Sequence, residues 1–146
     1  MNDKKTIEEI IAAQNKGQRR KSREEEHQIQ CACVKWFNFQ YSKYRGLLFA
    51  VPNGGYRTQA TAGKLRAEGV VAGVSDLILM VPRWKVVDAR DWFSIGLCIE
   101  MKTAKGKQSP EQKEWQKKVE EQGYRYIVCH SFDEFKKYIE WYLGKK

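Results

Sequence analysis

No unbroken apolar stretch in the chain is longer than the run Leu77-Ile78-Leu79-Met80-Val81, closed by Pro82. It is far shorter than the roughly 18 residues that a membrane-spanning helix requires, so no transmembrane helix is expected. An apolar run this dense predicts a central β-strand covered on both faces. Such a strand forces a layered arrangement, because something apolar must lie above and below the sheet that contains it.

The remaining signals supply those layers. Leu47-Leu48-Phe49-Ala50-Val51 predicts a buried strand ending in a tight loop at Pro52-Asn53-Gly54-Gly55. A helix is expected from about Gln59 to Glu68, stopped by Gly69. Residues 82 to 93, polar and aromatic with Trp84 and Trp92, read as a hairpin, and a third strand runs from Ile95 to about Thr103. Ser109-Pro110-Glu111-Gln112 combines an N-cap serine, a proline at the first helical position and a glutamine three after the cap, which predicts a helix to about Gln122. Tyr126 to Cys129 reads as a fourth strand. Ser131 caps a last helix with Phe132, Phe135, Tyr138, Ile139 and Tyr142 on its buried side.

At the other end, Glu26, Gln30, Cys33 and Phe37 fall at i, i+4, i+7 and i+11. This spacing puts them on one stripe of a helix from Arg23 to about Phe39, with a carboxylate at the end of an apolar face. Residues 1–22 carry Lys4, Lys5, Lys16, Arg19, Arg20 and Lys21 around an apolar patch at Ile7, Ile10 and Ile11, a weak amphipathic helix followed by a basic run that together read as a mobile arm outside the domain. The 146 residues match one domain at about 150 residues each, so residues 23–146 should form a single α/β domain, a central mixed sheet flanked by helices.

Lys and Arg outnumber Asp and Glu by 27 to 18, a formal net charge of +9 on a chain that is 42% hydrophobic. That apolar content excludes a disordered basic tail, and the charge excess points to a polyanion, with nucleic acid the first candidate. The N-terminal residues mix acids and bases without an apolar stretch, so a cytoplasmic protein without a secretory signal is expected. Cys31, Cys33, Cys98 and Cys129 should then stay reduced and act as small buried hydrophobes, and the five tryptophans read as core. Cys31 and Cys33, two apart, do not have the spacing of paired zinc ligands. His27 and His130 receive no role.

Strand alternation singles out one segment. Ile95, Leu97, Ile99 and Met101 point one way, while Cys98, Glu100 and Lys102 point the other. Asp76 stands at the start of the preceding central strand. An acid there, with an acid and a lysine on one face of the next strand, is what metal-assisted phosphodiester hydrolysis needs. Carboxylates suit a hard cation such as Mg²⁺, and a nearby ammonium offsets charge building on the phosphate. Acid-x-Lys occurs four times in this chain, at Asp3, Glu100, Glu111 and Glu134, and only the Glu100 copy lies on an apolar strand. Two readings stay open from the residues alone: a working site, or a Glu100–Lys102 ion pair at a strand end.

The succession Glu26-x-x-x-Gln30, Val51-Pro52-Asn53-Gly54-Gly55, Glu68-Gly69-Val70, Gly73-Val74-Ser75-Asp76-Leu77, Ile99-Glu100-Met101-Lys102-Thr103, Gly106-Lys107-x-Ser109-x-x-Gln112-x-x-Trp115 and Gly123-Tyr124 resembles the virus-type replication-repair nuclease (VRR-NUC) domain of the PD-(D/E)XK nuclease superfamily. The resemblance runs from about Arg23 to the C-terminus and implies a restriction-endonuclease-like fold. By it, Asp76 and Glu100 match the family's metal-binding acids, Glu26 the acid of the first helix, and the Met101 carbonyl a further ligand to Mg²⁺ or Mn²⁺. Lys102 matches the catalytic lysine and Gln112 the glutamine of the helix after the third strand. Bottom-up, Gln112 is equally the second half of the Ser109 capping box, and Glu26 a carboxylate placed near a helix N-terminus. Ser75 stands where the superfamily has a proline.

For DNA contacts the candidates are Asn53, Gly54, Arg57, Lys64, Lys105 and Lys107, each with a solvated-surface reading beside it. The resemblance implies a divalent-metal-dependent DNA endonuclease, structure-specific for Holliday junctions or other branched DNA, acting in repair as a homodimer in a bacterial or phage-infected cell. The alternatives are a non-catalytic DNA-binding module on a nuclease-like fold and a sequence-specific restriction-type enzyme.

Overall fold

The first helix carries the stripe that organises one side of the molecule. Helix α1 spans Ile7–Gln40, with Glu8 and Glu9 in its first turn where the helix dipole favours acids. Cys33 and Phe37 on its inner stripe are fully buried, and Tyr41 just beyond continues the packing. The computed structural model describes residues 7–53 and 58–145. The helix expected from Arg23 thus begins at Ile7. No proline interrupts the chain between Ile7 and Arg23, and one glycine, Gly17, is too weak a breaker to stop it. Residues read as an arm therefore extend the domain's first helix, and among the described side chains those of residues 7–21 are exposed.

Strands β1 (Leu48–Ala50), β2 (Leu77–Leu79), β5 (Leu97–Met101) and β6 (Arg125–Cys129) form one sheet in the order β1-β2-β5-β6. The first three are antiparallel, and β5 and β6 run parallel, joined by the crossover helix α3 (Pro110–Glu121). The sheet is therefore mixed, as expected. Strands β3 (Arg83–Val87) and β4 (Arg90–Ser94) make the expected hairpin as a separate ribbon. Its turn residues Asp88 and Ala89 have φ of 49° and 59°, the left-handed geometry that closes a two-residue hairpin. Helix α2 (Gln59–Ala67), capped by Thr58, connects β1 to β2.

The core lies on one face of the sheet, under α1 and the last helix, α4 (Phe132–Leu143). Leu77, Leu79, Leu97, Ile99 and Met101 from the strands meet Cys33 and Phe37 of α1 and Phe135, Ile139 and Tyr142 of α4. Burying side chains of this size contributes roughly 1.5–3 kcal/mol each, before the loss of chain entropy is counted. Tyr142 anchors the sheet's end by donating its hydroxyl to the Val81 carbonyl at 2.7 Å. On the opposite face α3 lays Trp115 edge-on against Tyr126 of β6.

Several burial expectations are corrected. Strand β1 is an edge strand paired only with β2, so Phe49 stays 39% exposed and Leu48 alone of its residues is buried. Tyr138 falls on the outer side of α4 and is exposed, and so is Cys31 on α1. The tryptophans do not all enter the core: Trp84 is exposed on the hairpin and Trp141 on α4, where Trp92 stacks edge-on against it at 5.0 Å.

The loop that delivers the chain into β2 is pinned by Gly73, whose φ is +81°. A Cβ at this position would overlap the Glu111 carbonyl at the start of α3. Gly73→Ala should therefore destabilise the fold by on the order of 1–3 kcal/mol from backbone conformation alone, with the steric overlap adding to it. Chemical denaturation of the two proteins measures the difference, and an unchanged midpoint would refute this close packing.

Candidate active site

The antiparallel pairing of β2 with β5 sets Leu77 opposite Ile99, and one residue further this register brings Asp76 to Glu100. The pairing is tied off at that end by the Asp76 carboxylate, whose Oδ2 accepts the Met101 N–H at 2.7 Å. Alternation along β5 turns Leu97, Ile99 and Met101 into the core and Glu100 to the opposite face, beneath α3. Because β5 is buried on both faces, Glu100 is only 1% exposed, and it is the sole charged residue among the described buried ones.

Three side chains meet that carboxylate. Lys102 Nζ lies 2.9 Å from Oε1, and Gln112 donates its amide Nε2 to the same oxygen at 2.5 Å. The Tyr126 hydroxyl donates to Oε2 at 3.5 Å. Gln112 takes part in the capping box and also reaches Glu100. Its Oε1 accepts the Ser109 N–H at 2.8 Å and its backbone N–H meets the Ser109 hydroxyl, completing the capping box, while its free amide hydrogens face Glu100. The cap thereby orients the amide. The ion pair and the candidate site are likewise the same residues, Glu100 and Lys102.

Electrostatics make this pair of acids unusual. Burial pushes the Glu100 carboxyl up to about 7, and the neighbouring Asp76 charge pushes the same way, against the partial relief supplied by Lys102. Burial also raises Asp76, opposed by the Met101 N–H and by Lys102. Two neighbouring carboxyl groups that each shift the other titrate as a coupled pair.

Supporting contacts shape the surrounding loops. Asn53 spends its side-chain amide on the Val74 carbonyl at 2.6 Å, which ties the loop after β1 to the loop that carries Asp76. Ser75 is fully buried and donates its hydroxyl to the Leu77 carbonyl at 3.1 Å. Glu26 reaches the far end of β5 from α1, its Oε1 accepting the Thr103 N–H at 3.4 Å. The turn after β5 exposes Lys105 and Lys107. His130 brings Nε2 to 3.2 Å from the Gly106 carbonyl in that turn, while its backbone N–H donates to Glu134 at 2.8 Å. Lys64 is an exposed residue of α2, 3.8 Å from Glu68. Gly54 and Arg57 lie outside the described residues.

Asp76, Glu100, Lys102 and Gln112 are thus brought together, and Glu26 stands one residue past Lys102 at Thr103. Tyr126 and His130 were missed as neighbours of these segments. Alternation gives the face of Tyr126, but only the parallel register of β6 on β5 reveals that the face is shared with Glu100.

The donor set fits a hard divalent cation. It offers carboxylate oxygens only, and their mutual repulsion in a buried place is what a bound dication would relieve. Among the described residues no three His, Cys, Asp or Glu side chains converge on one point. Mg²⁺ is commonly held by one or two carboxylates with water and substrate phosphate completing its shell, a number that Asp76 and Glu100 could supply.

In the metal-free protein, the raised Glu100 carboxyl means that the folded state holds a proton the unfolded chain has released. Stability from this group is intact below its ordinary value of 4.5 and declines as pH rises through about 7. Glu100→Gln, which cannot ionise, should therefore raise the melting temperature relative to wild type at pH 8 and much less at pH 5, measured by calorimetry in EDTA. An equal difference at both pH values would refute the burial of an ionised Glu100.

The model of the VRR-NUC domain matches residues 13–133. A solved structure described as a VRR-NUC domain protein superposes with a TM-score of 0.63 at 26% identity, covering 81% of this chain and 87% of that one. No curated protein matches. With a match across most of its length and a neighbour of the same fold, the chain belongs to the VRR-NUC domain family of nuclease-like domains that act on DNA.

Proposed function

We propose that this protein is a Mg²⁺- or Mn²⁺-dependent DNA endonuclease that hydrolyses phosphodiester bonds by direct attack of water. The observation that carries the reading is the pairing of half-buried Asp76 with fully buried Glu100, with the Lys102 ammonium 2.9 Å from the Glu100 carboxylate. An arrangement this costly in a family of DNA-acting domains is better explained by chemistry than by stability, since an apolar trio at the same positions would hold the strands together without the desolvation penalty.

Asp76 and Glu100 would hold the cation, with Glu26 and the Met101 carbonyl added by the family resemblance. When bound, it supplies Lewis acidity to the scissile phosphate and lowers the pKa of water. The protein's own residues do the rest. Gln112, fixed by the Ser109 cap, and Tyr126 keep the Glu100 carboxylate from rotating. Lys102 is 14% exposed at its side chain, so its ammonium reaches from Glu100 toward the substrate side. There it donates hydrogen bonds to the attacking water and to a non-bridging phosphate oxygen, where negative charge grows in the transition state. Lys105 and Lys107, exposed on the adjoining turn, and Lys64, exposed on α2, would meet backbone phosphates by simple charge attraction. The branched substrate, the homodimer and a role in repair rest on the resemblance to stand-alone members of the family, which are similar to Holliday-junction resolvases.

The test incubates end-labelled four-way junction, flap, linear duplex and single-stranded DNA with wild type, Asp76→Ala and Lys102→Ala in Mg²⁺, Mn²⁺ or EDTA. Wild type should cut only with metal, preferring the junction. Asp76→Ala should not cut, and Lys102→Ala should lose on the order of 10²–10³ in rate. Both variants should still bind DNA and remain folded. Wild-type binding without cutting in every condition would overturn the nuclease reading and leave a DNA-binding module.

A further inference from the structure

The inner stripe of α1 changes chemistry along its length with a regular period. Pairs of residues four apart recur every seven: Cys33 with Phe37, Glu26 with Gln30, Arg19 with Arg23, and Ala12 with Lys16. Seven residues are close to two helical turns, so these pairs stack on one face of the helix. At Cys33 and Phe37 that face is core, and at Glu26 it touches the strand end beside Lys102. From Arg23 to Lys16 the same face has left the domain and carries cations into solvent. Gln18, Arg19, Ser22, Arg23 and Glu26 line a shallow cleft together, which places the cations and the site acid on one surface.

The partition of charge around this helix is not random. Glu24 and Glu25, adjacent to Glu26, fall on other faces, and Glu24 is engaged with Gln28. Lys21 and Lys35 point away from the stripe, and neither is three or four residues from any of its members. Among the described residues, Lys16, Arg19 and Arg23 form no ion pair with a carboxylate. Cations aligned with a site that handles a polyanion, and left unneutralised there, complement a phosphate backbone.

We infer that the N-terminal half of α1 is a phosphate track: Lys16, Arg19 and Arg23 hold the backbone of the DNA arm leading away from the cleavage site. This deepens the nuclease reading and rests on it. The rise of a helix, about 1.5 Å per residue, puts Lys16 roughly 15 Å beyond Glu26, a reach of about four base pairs at ~3.4 Å each. The track fixes register and orientation of the duplex arm and reads no sequence.

Two variants of equal charge on the same helix separate this from a general charge effect: Arg19→Ala/Arg23→Ala on the stripe and Lys21→Ala/Lys35→Ala off it. Alanine favours the helix, and far-UV circular dichroism checks that it persists. Binding of the full-length proteins to a labelled four-way junction in EDTA is titrated over a series of KCl concentrations. For every phosphate that a side chain no longer neutralises, the slope of log K against log salt falls in magnitude by about 0.9, so the stripe variant should drop by roughly 1.8 and the off-stripe variant should stay close to wild type. Equal drops in both variants, or none in either while wild type binds, would overturn the track and leave the nuclease reading intact. Wild type that binds no DNA at any salt concentration would overturn both.

Discussion

The hydrogen bond from the Met101 N–H to the Asp76 carboxylate, at 2.7 Å, closes the β2–β5 ladder at the point where two acids must share a buried space. A register slip of one residue would turn Glu100 into the hydrocarbon core and Ile99 toward α3. The dense apolar content of both strands forbids that slip, because Leu77, Leu79, Leu97, Ile99 and Met101 all bury on one face in this register only. Packing on the α1–α4 side thus determines which residues face α3 on the other side. The opposing repulsion is contained by the Lys102 ammonium, the Gln112 amide and the Tyr126 hydroxyl, each drawn from a different part of the chain.

Helix termini and loops take part in the same arrangement. The capping box of α3 satisfies backbone groups at the helix start and, through the same glutamine, steadies Glu100. Gly73 allows the loop before Asp76 to lie directly on that helix start, and Asn53 ties the loop to the end of β1. Local folding signals and site geometry are therefore carried by the same residues. This explains why the bland and functional readings of Gln112 could not be separated by spacing alone.

Much of the site was legible because strand alternation and the apolar context isolate Glu100 and Lys102 from the other acid-x-Lys copies. Asp76 was legible as the acid at the start of a run too apolar to be anything but a central strand. Tyr126 was not, since a residue on a parallel strand announces its face but not its partner. That Asn53 donates its amide to the Val74 carbonyl was not legible either, because it follows from the proximity of two loops far apart in sequence. The weak helix expected near the N-terminus and the helix expected from Arg23 are one continuous helix from Ile7, because a basic, weakly amphipathic segment has little packing signal of its own and continues a helix already nucleated by the core.

From the residues alone come the elements, their caps and the alternation that separates core from chemistry, since these depend on local spacing and on the burial of apolar side chains. Strand order, the parallel pairing of β6 and the meeting of Asp76 with Glu100 belong to the tertiary structure. They depend on contacts between segments far apart in sequence, 24 residues in the case of Asp76 and Glu100, and no local periodicity encodes a distance across the sheet. The direction of the basic stripe on α1 has both origins. Its period is written in the sequence, while its alignment with the site follows from the rotation at which Cys33 and Phe37 lock the helix into the core.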